Sequence, residues 1–166
     1  MHEVSASSII DMPRGNAWEK LRDITQAHHY VPGIVRTELV SDYAEGVGAS
    51  RYVFRNAKSF IQETVTVWTD GTGFTIRLHR GEQPAPPFRN AWFEYHLSDH
   101  GSRQTQVTTR MGYQLPWGAL GRILGRRMEG LVQKTIADVA YSMTLYYETG
   151  RPTTASALKQ YKASLP

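Results

Sequence analysis

Glu63 is the residue with the clearest chemical potential in this chain. It sits between Ile61 and Val65 in Ser59–Thr69, a run that alternates as a strand does. Residues two apart on a strand share a face, so Glu63 lies on the side that its apolar neighbours mark as buried. A lone carboxylate there is costly, and it must be ion-paired, hydrogen-bonded or protonated. Arg51, which shares the parity of Val53 in the preceding strand, can supply the pairing charge. Such a pair reads either as structural or as the polar end of a site, because sites concentrate unusual ionisable groups. Tyr95 adds an apolar ring with a hydrogen-bonding tip, which suits an amphipathic ligand and also an ordinary core.

Other chemistries find less support. The chain has no cysteine, which excludes disulfides, thiolate nucleophiles and cysteine-ligated metals. His28 and His29 are adjacent, and adjacent side chains on a helix diverge by about 100°, so they read as surface histidines. No metal and no cofactor are expected. Gly46-Val47-Gly48 lacks a third glycine and precedes a strand, so it is turn punctuation and not a dinucleotide loop. There is no P-loop and no Gly-x-Ser-x-Gly elbow.

The elements that must position Glu63 follow from periodicity. Glu3–Ile10 reads as a strand. Asp11 and Pro13 read as a helix entry with a capping acid, followed by Ala17, Trp18, Leu21 and Ile24 at helical spacing. A second short turn ends at Val31-Pro32-Gly33. Strands follow at 34–40, 49–54, 59–69, 74–79, 91–98 and 104–114, with turns at Gly46 and Gly48, at Asp70–Gly73 and at Asp99–Ser102. After Pro116-Trp117-Gly118 the period becomes helical. Leu120, Ile123, Leu124, Met128, Leu131, Val132, Ile136, Val139 and Met143 fall on one stripe that ends near Gly150. The glycines at 118, 121, 125 and 130 read as close packing against a neighbour. Residues 151–166, with three basic residues and no acid, read as a basic flexible tail.

An antiparallel sheet of six to seven strands with one long helix is an α+β architecture. One helix cannot fill the concavity of a strongly bent sheet, so a cavity is expected between them. Alternation chooses its lining: Val53, Ile61, Val65 and Val67 with Glu63; Ile76 and Leu78; Phe93 with Tyr95; Val107, Thr109, Met111 and Tyr113. Tyr52 and Trp117 join them as aromatics, and the helix contributes Leu124, Met128, Val132 and Ile136.

Four segments carry a resemblance: Pro13–Asp23 as a P-x-x-x-x-W-x-x-L-x-D opening, Gly48-Ala49-Ser50-Arg51 before a strand, Glu63-Thr64-Val65, and the closing helix Gly118–Gly150. In this order the chain resembles the START/Bet v 1-like superfamily (SRPBCC, helix-grip proteins), and within it the bacterial polyketide cyclase/dehydrase-like branch, over residues 3–150. The resemblance implies one ligand-binding domain over 1–150, with a sheet wrapped around the last helix and two short helices after the first strand. It implies a hydrophobic pocket for lipids, sterols, polyketides, quinones or hormones, and cyclisation or dehydration in some members. Glu63 matches a glutamate that tends to face the pocket, and Arg51 matches the G-x-x-R arginine. Gln83–Pro87 falls where relatives have a gating loop, and its prolines argue against a large lid motion.

Three functions follow as expectations. The first is binding of a hydrophobic or amphipathic small molecule. The second is a cofactor-independent cyclase, dehydratase or aldol-type enzyme, with Glu63 as general acid/base and Tyr95 or Arg51 stabilising an enolate. The third is a protein-interaction module with a collapsed pocket. The net charge is +4, but residues 1–150 carry only +1, so nucleic acid is not an expected partner. Arg122, Arg126, Arg127 and Lys134 read as a solvated helix face or as a weak contact with anionic lipid. No apolar run spans a bilayer and no secretory leader is visible, so a cytoplasmic location is expected.

Overall fold

Apolar side chains at every second position build the sheet, and apolar side chains at helical spacing build the helix that lies on it. The computed structural model describes all 166 residues. Strand β1 (His2–Ile10) is followed by helix α1 (Arg14–Leu21) and a 3₁₀ helix (Ile24–His29). Strands β2 (Arg36–Leu39), β3 (Ser50–Phe54), β4 (Phe60–Thr69), β5 (Gly73–Arg80), β6 (Gln83–Pro84), β7 (Asn90–His100) and β8 (Gln104–Gln114) follow. The chain closes with α2 (Gly118–Thr149) and α3 (Ala155–Ser164). The strands form one antiparallel sheet in the order β1-β8-β7-β5-β4-β3-β2, with the two-residue β6 paired to β5. This is the helix-grip arrangement: α2 lies across the concave face, mainly against β1 and β8. No helix is long and apolar enough to cross a membrane.

Hydroxyl groups tie the helix to the sheet. Thr109 Oγ1 donates to the Ile136 carbonyl at 2.9 Å, and Tyr113 OH donates to the Gly125 carbonyl at 2.8 Å. Both side chains are buried, so these bonds satisfy groups that would otherwise be costly to bury.

Three expectations are corrected. A bulge lies between Val65 and Val67 on β4. The extra residue reverses the alternation, so Val67 turns outward. Trp68 turns inward instead, stacking on Phe74 at 5.5 Å and meeting Trp18 edge-on at 5.0 Å. Asp11 does not cap α1, whose N-cap position is Pro13; its backbone N–H instead donates to Glu148 on α2. The tail reading also fails, because 155–164 is helical. Thr154 Oγ1 caps α3 by accepting from Ala157 N at 3.1 Å. Leu158 is buried, and Lys162 Nζ pairs with Asp138 of α2 at 2.6 Å. A cap, one apolar anchor and one ion pair are enough to hold this short helix on its neighbour.

Candidate ligand cavity

Register decides the polar centre. Arg51 on β3 lies directly opposite Glu63 on β4, both on the concave face. Arg51 Nε donates to Glu63 Oε2 at 2.6 Å, and Nη2 lies 2.6 Å from the same oxygen. Arg51 Nη1 donates to the Ile24 carbonyl at 2.5 Å, which fastens the 3₁₀ helix to the sheet. Arg51 is 1% exposed. Its burial opposes the guanidinium charge, but Glu63, Tyr30 and Tyr95 outweigh that and raise its pKa. The other carboxylate oxygen, Glu63 Oε1, accepts no hydrogen bond from the protein.

Three phenols surround this pair. Tyr30 meets Tyr95 and Tyr147 edge-on, with ring centroids 6.1 and 6.0 Å apart. Burial raises the pKa of all three, well above the ordinary tyrosine value for Tyr95 and Tyr147. They are therefore neutral hydrogen-bond donors at physiological pH. The hydroxyls of Tyr30 and Tyr147 and Nη2 of Arg51 are buried without a well-directed hydrogen bond.

In front of this polar floor lies a cavity of about 250 Å³ between the sheet and the middle of α2. That is larger than the ~150 Å³ that holds benzene, and a little below the ~300 Å³ at the lower end of drug-sized sites. Most of its lining side chains are apolar, and Glu63 and Tyr95 reach it from the floor. Arg55, exposed and in no ion pair, stands at the mouth. No group of three or more His, Asp and Glu side chains is placed to hold a metal.

Of the side chains expected here, Val53, Ile61, Glu63, Leu78, Phe93, Tyr95, Met111, Val132 and Ile136 line the cavity. The others do not. Arg51 stands behind Glu63. Val65, Ile76, Val107, Thr109 and Tyr113 are packed solid against their neighbours. Tyr52 has the opposite parity to Arg51 and Val53, and its ring lies 4.7 Å from Phe60 on the convex face. Trp117 is exposed. Leu124 and Met128 are half-buried on α2 beyond the cavity.

Several lining residues were missed. Val31, Pro32 and Ile34 reach in from the loop after the 3₁₀ helix, and Phe88 from the loop before β7. Loops carry no periodicity, so alternation cannot find them. Arg55 was findable, because it continues the odd parity of Arg51 and Val53. Thr135 and Val139 lie one turn from Leu131, Val132 and Ile136, along the same side of α2.

A bent antiparallel sheet gripping one helix, with a mainly apolar cavity between them, defines the class as a helix-grip ligand-binding fold. Residues 1–143 match the family described as "Polyketide cyclase / dehydrase and lipid transport", and the chain belongs to that family. No curated protein matches the sequence. Among solved structures, a Thermobifida fusca protein superposes with a TM-score of 0.72 at 14% identity, covering 89% of this chain and 93% of its own. The Zhui aromatase/cyclase from Streptomyces sp. R1128 gives 0.69 at 14% identity, with coverages of 89% and 93%. Ara h 8.0201 gives 0.54 at 14% identity, with coverages of 86% and 97%. At these identities the likeness establishes a shared Bet v 1-like fold. The family supports a role in binding a ligand or cyclising a polyketide.

Proposed function

We propose that this protein binds a compact, mainly apolar molecule of about two fused rings, carrying a hydroxyl or N–H donor at one end. The carrying observation is the free Oε1 of Glu63 at the floor of an otherwise apolar cavity of about 250 Å³. Glu63 Oε2 is taken up by the buried Arg51 guanidinium, and Oε1 is left facing the cavity as a hydrogen-bond acceptor. It favours a donor and repels an acid. Arg55 at the mouth tolerates an anionic group at the opposite end of the ligand.

Titration calorimetry with naphthalene, 2-naphthol and 6-hydroxy-2-naphthoate tests this reading. Either hydroxylated ligand should bind at least tenfold more tightly than naphthalene, as a charge-assisted hydrogen bond of about 1.5–3 kcal/mol requires. Met111→Trp, which fills the cavity, should abolish binding of all three. Equal affinities for naphthalene and 2-naphthol would end the proposal.

A second reading is acid–base catalysis in the same cavity, favoured by the proximity of an acceptor, Glu63, to a neutral phenol donor, Tyr95. It requires that Glu63→Gln abolish turnover of a polyketide-like substrate while affinity changes only a few fold. Unchanged turnover would leave binding alone.

A further inference from the structure

The N-terminal half of α2 is built inside out. Its sheet-facing side carries Gly121 and Gly125, both buried, where an added Cβ would meet the Pro116 carbonyl and the His2 ring. Its large apolar side chains face solvent: Leu120 is 59% exposed, Ile123 57% and Leu131 66%. Leu120, Ile123, Leu124 and Leu131 stand at i, i+3, i+4 and i+11, within an arc of about 100°. Trp117 extends the stripe at 64% exposure. Its backbone is left-handed, with φ 74°, a strained state for a bulky residue that persists only where the surroundings impose it. Here it turns the indole outward at the head of the helix.

The charges on this half of the helix are mostly positive. Arg122, Arg126, Arg127 and Lys134 face a single acid, Glu129, between Gly118 and Lys134. None of the four takes part in an ion pair of the molecule. Arg127 lies within the apolar arc, and Lys134 lies beside Leu131.

We propose that this face docks on an anionic lipid bilayer, with α2 lying in the interface. A leucine-rich arc headed by tryptophan, with the free Arg127 and Lys134 inside it and Arg126 flanking it, is the pattern of an interfacial helix. A cationic face attracts anionic headgroups, each side chain adding to affinity in a salt-dependent way. Leu131 belongs both to this stripe and to the cavity lining, so docking brings the cavity mouth to the lipid surface. The docking rests on the outer face of α2 and holds whatever fills the cavity.

The test exploits the absence of native cysteine. Leu120→Cys and, in the β7–β8 turn at the far end of that hairpin, Ser102→Cys each accept one environment-sensitive fluorophore. The probes are phosphatidylcholine vesicles with and without one-third phosphatidylglycerol. The expected result is a blue shift and brightening at position 120 but not at 102, on the anionic vesicles, reversed in about 1 M salt, where the Debye length is ~3 Å. In co-sedimentation, Trp117→Ser with Leu120→Ser, and separately Arg127→Gln with Lys134→Gln, should each weaken binding about tenfold or more. These residues are exposed, and circular dichroism of each variant checks that the fold is kept. Equal responses at 120 and 102, or no binding to anionic vesicles, would overturn the proposal. So would self-association that already shields position 120 in lipid-free protein, measured by sedimentation velocity.

Discussion

The two halves of α2 use the same residue types in opposite ways. From Ile136 onward the apolar side chains point inward: Ile136, Val139, Met143 and Tyr147 are buried against the sheet and the tyrosine cluster. Before Val132 the fully buried positions are glycine, Leu124 and Met128 are half-buried, and Leu120 and Leu131 point outward. The difference arises in what lies beneath. The C-terminal half spans the concavity, where large side chains are needed to fill space. The N-terminal half lies where the chain leaves β8 through Leu115 and Pro116, and there backbone and the His2 ring come too close for a side chain. A helix is amphipathic relative to its neighbour, and the neighbour changes along its length.

The sharpest way to break this comparison is truncation on each half. Met143→Ala removes a fully buried side chain and should cost about 2–5 kcal/mol. Ile123→Ala should change stability by no more than about 0.5 kcal/mol. Urea unfolding of both variants measures the contrast, and similar losses would mean that the N-terminal half is sealed in solution.

The glycines sharpen it next. Gly121→Ala places a methyl group against the Pro116 carbonyl and should cost about 1–3 kcal/mol through overpacking. Nothing lies within 4 Å of a Cβ added at Gly130. Alanine there should stabilise by about 0.5–1 kcal/mol from helix propensity alone. The same denaturation experiment reads both signs.

A further effect is a pH dependence carried by the buried tyrosines beneath the C-terminal half of α2 and on it. Burial raises the pKa of Tyr147 and Tyr95 in the folded chain. The unfolded chain releases those protons first, near pH 10. The stability that they carry is complete below about pH 10 and falls above it, by on the order of 1 kcal/mol per phenol at pH 11. Tyr147→Phe should flatten the fall in urea midpoint between pH 9 and 11. Its hydroxyl has no partner, so the variant loses no hydrogen bond. An unchanged slope would show that Tyr147 ionises freely.

Much of the fold was legible because alternation is a local property. The inward parity of Phe74, Phe93, Tyr95 and Leu97 follows from counting by twos, and all four are buried. Counting failed at Thr66, where one bulged residue exchanged Val67 for Trp68. It failed again at α3, whose Thr154 cap and single buried Leu158 are too sparse a pattern to distinguish from a tail. The helical stripe of α2 was legible as a stripe, but which part of it is covered was not.

The candidate site divides in the same way. Glu63 announced itself by being an acid on an apolar face, and Arg51 by its parity, because both properties are carried by neighbours in sequence. Tyr30, Val31 and Phe88 could not be found, since loops and short helices bring them in through contacts dozens of residues away. The sequence by itself determined the order of elements, the two faces of most strands and the need to pair one buried carboxylate, because these follow from local spacing and the cost of burying charge. Only the tertiary structure decided how much space the bent sheet leaves open, and which half of α2 fills it. Both depend on how closely two backbones approach, and that distance is set by every side chain between them at once.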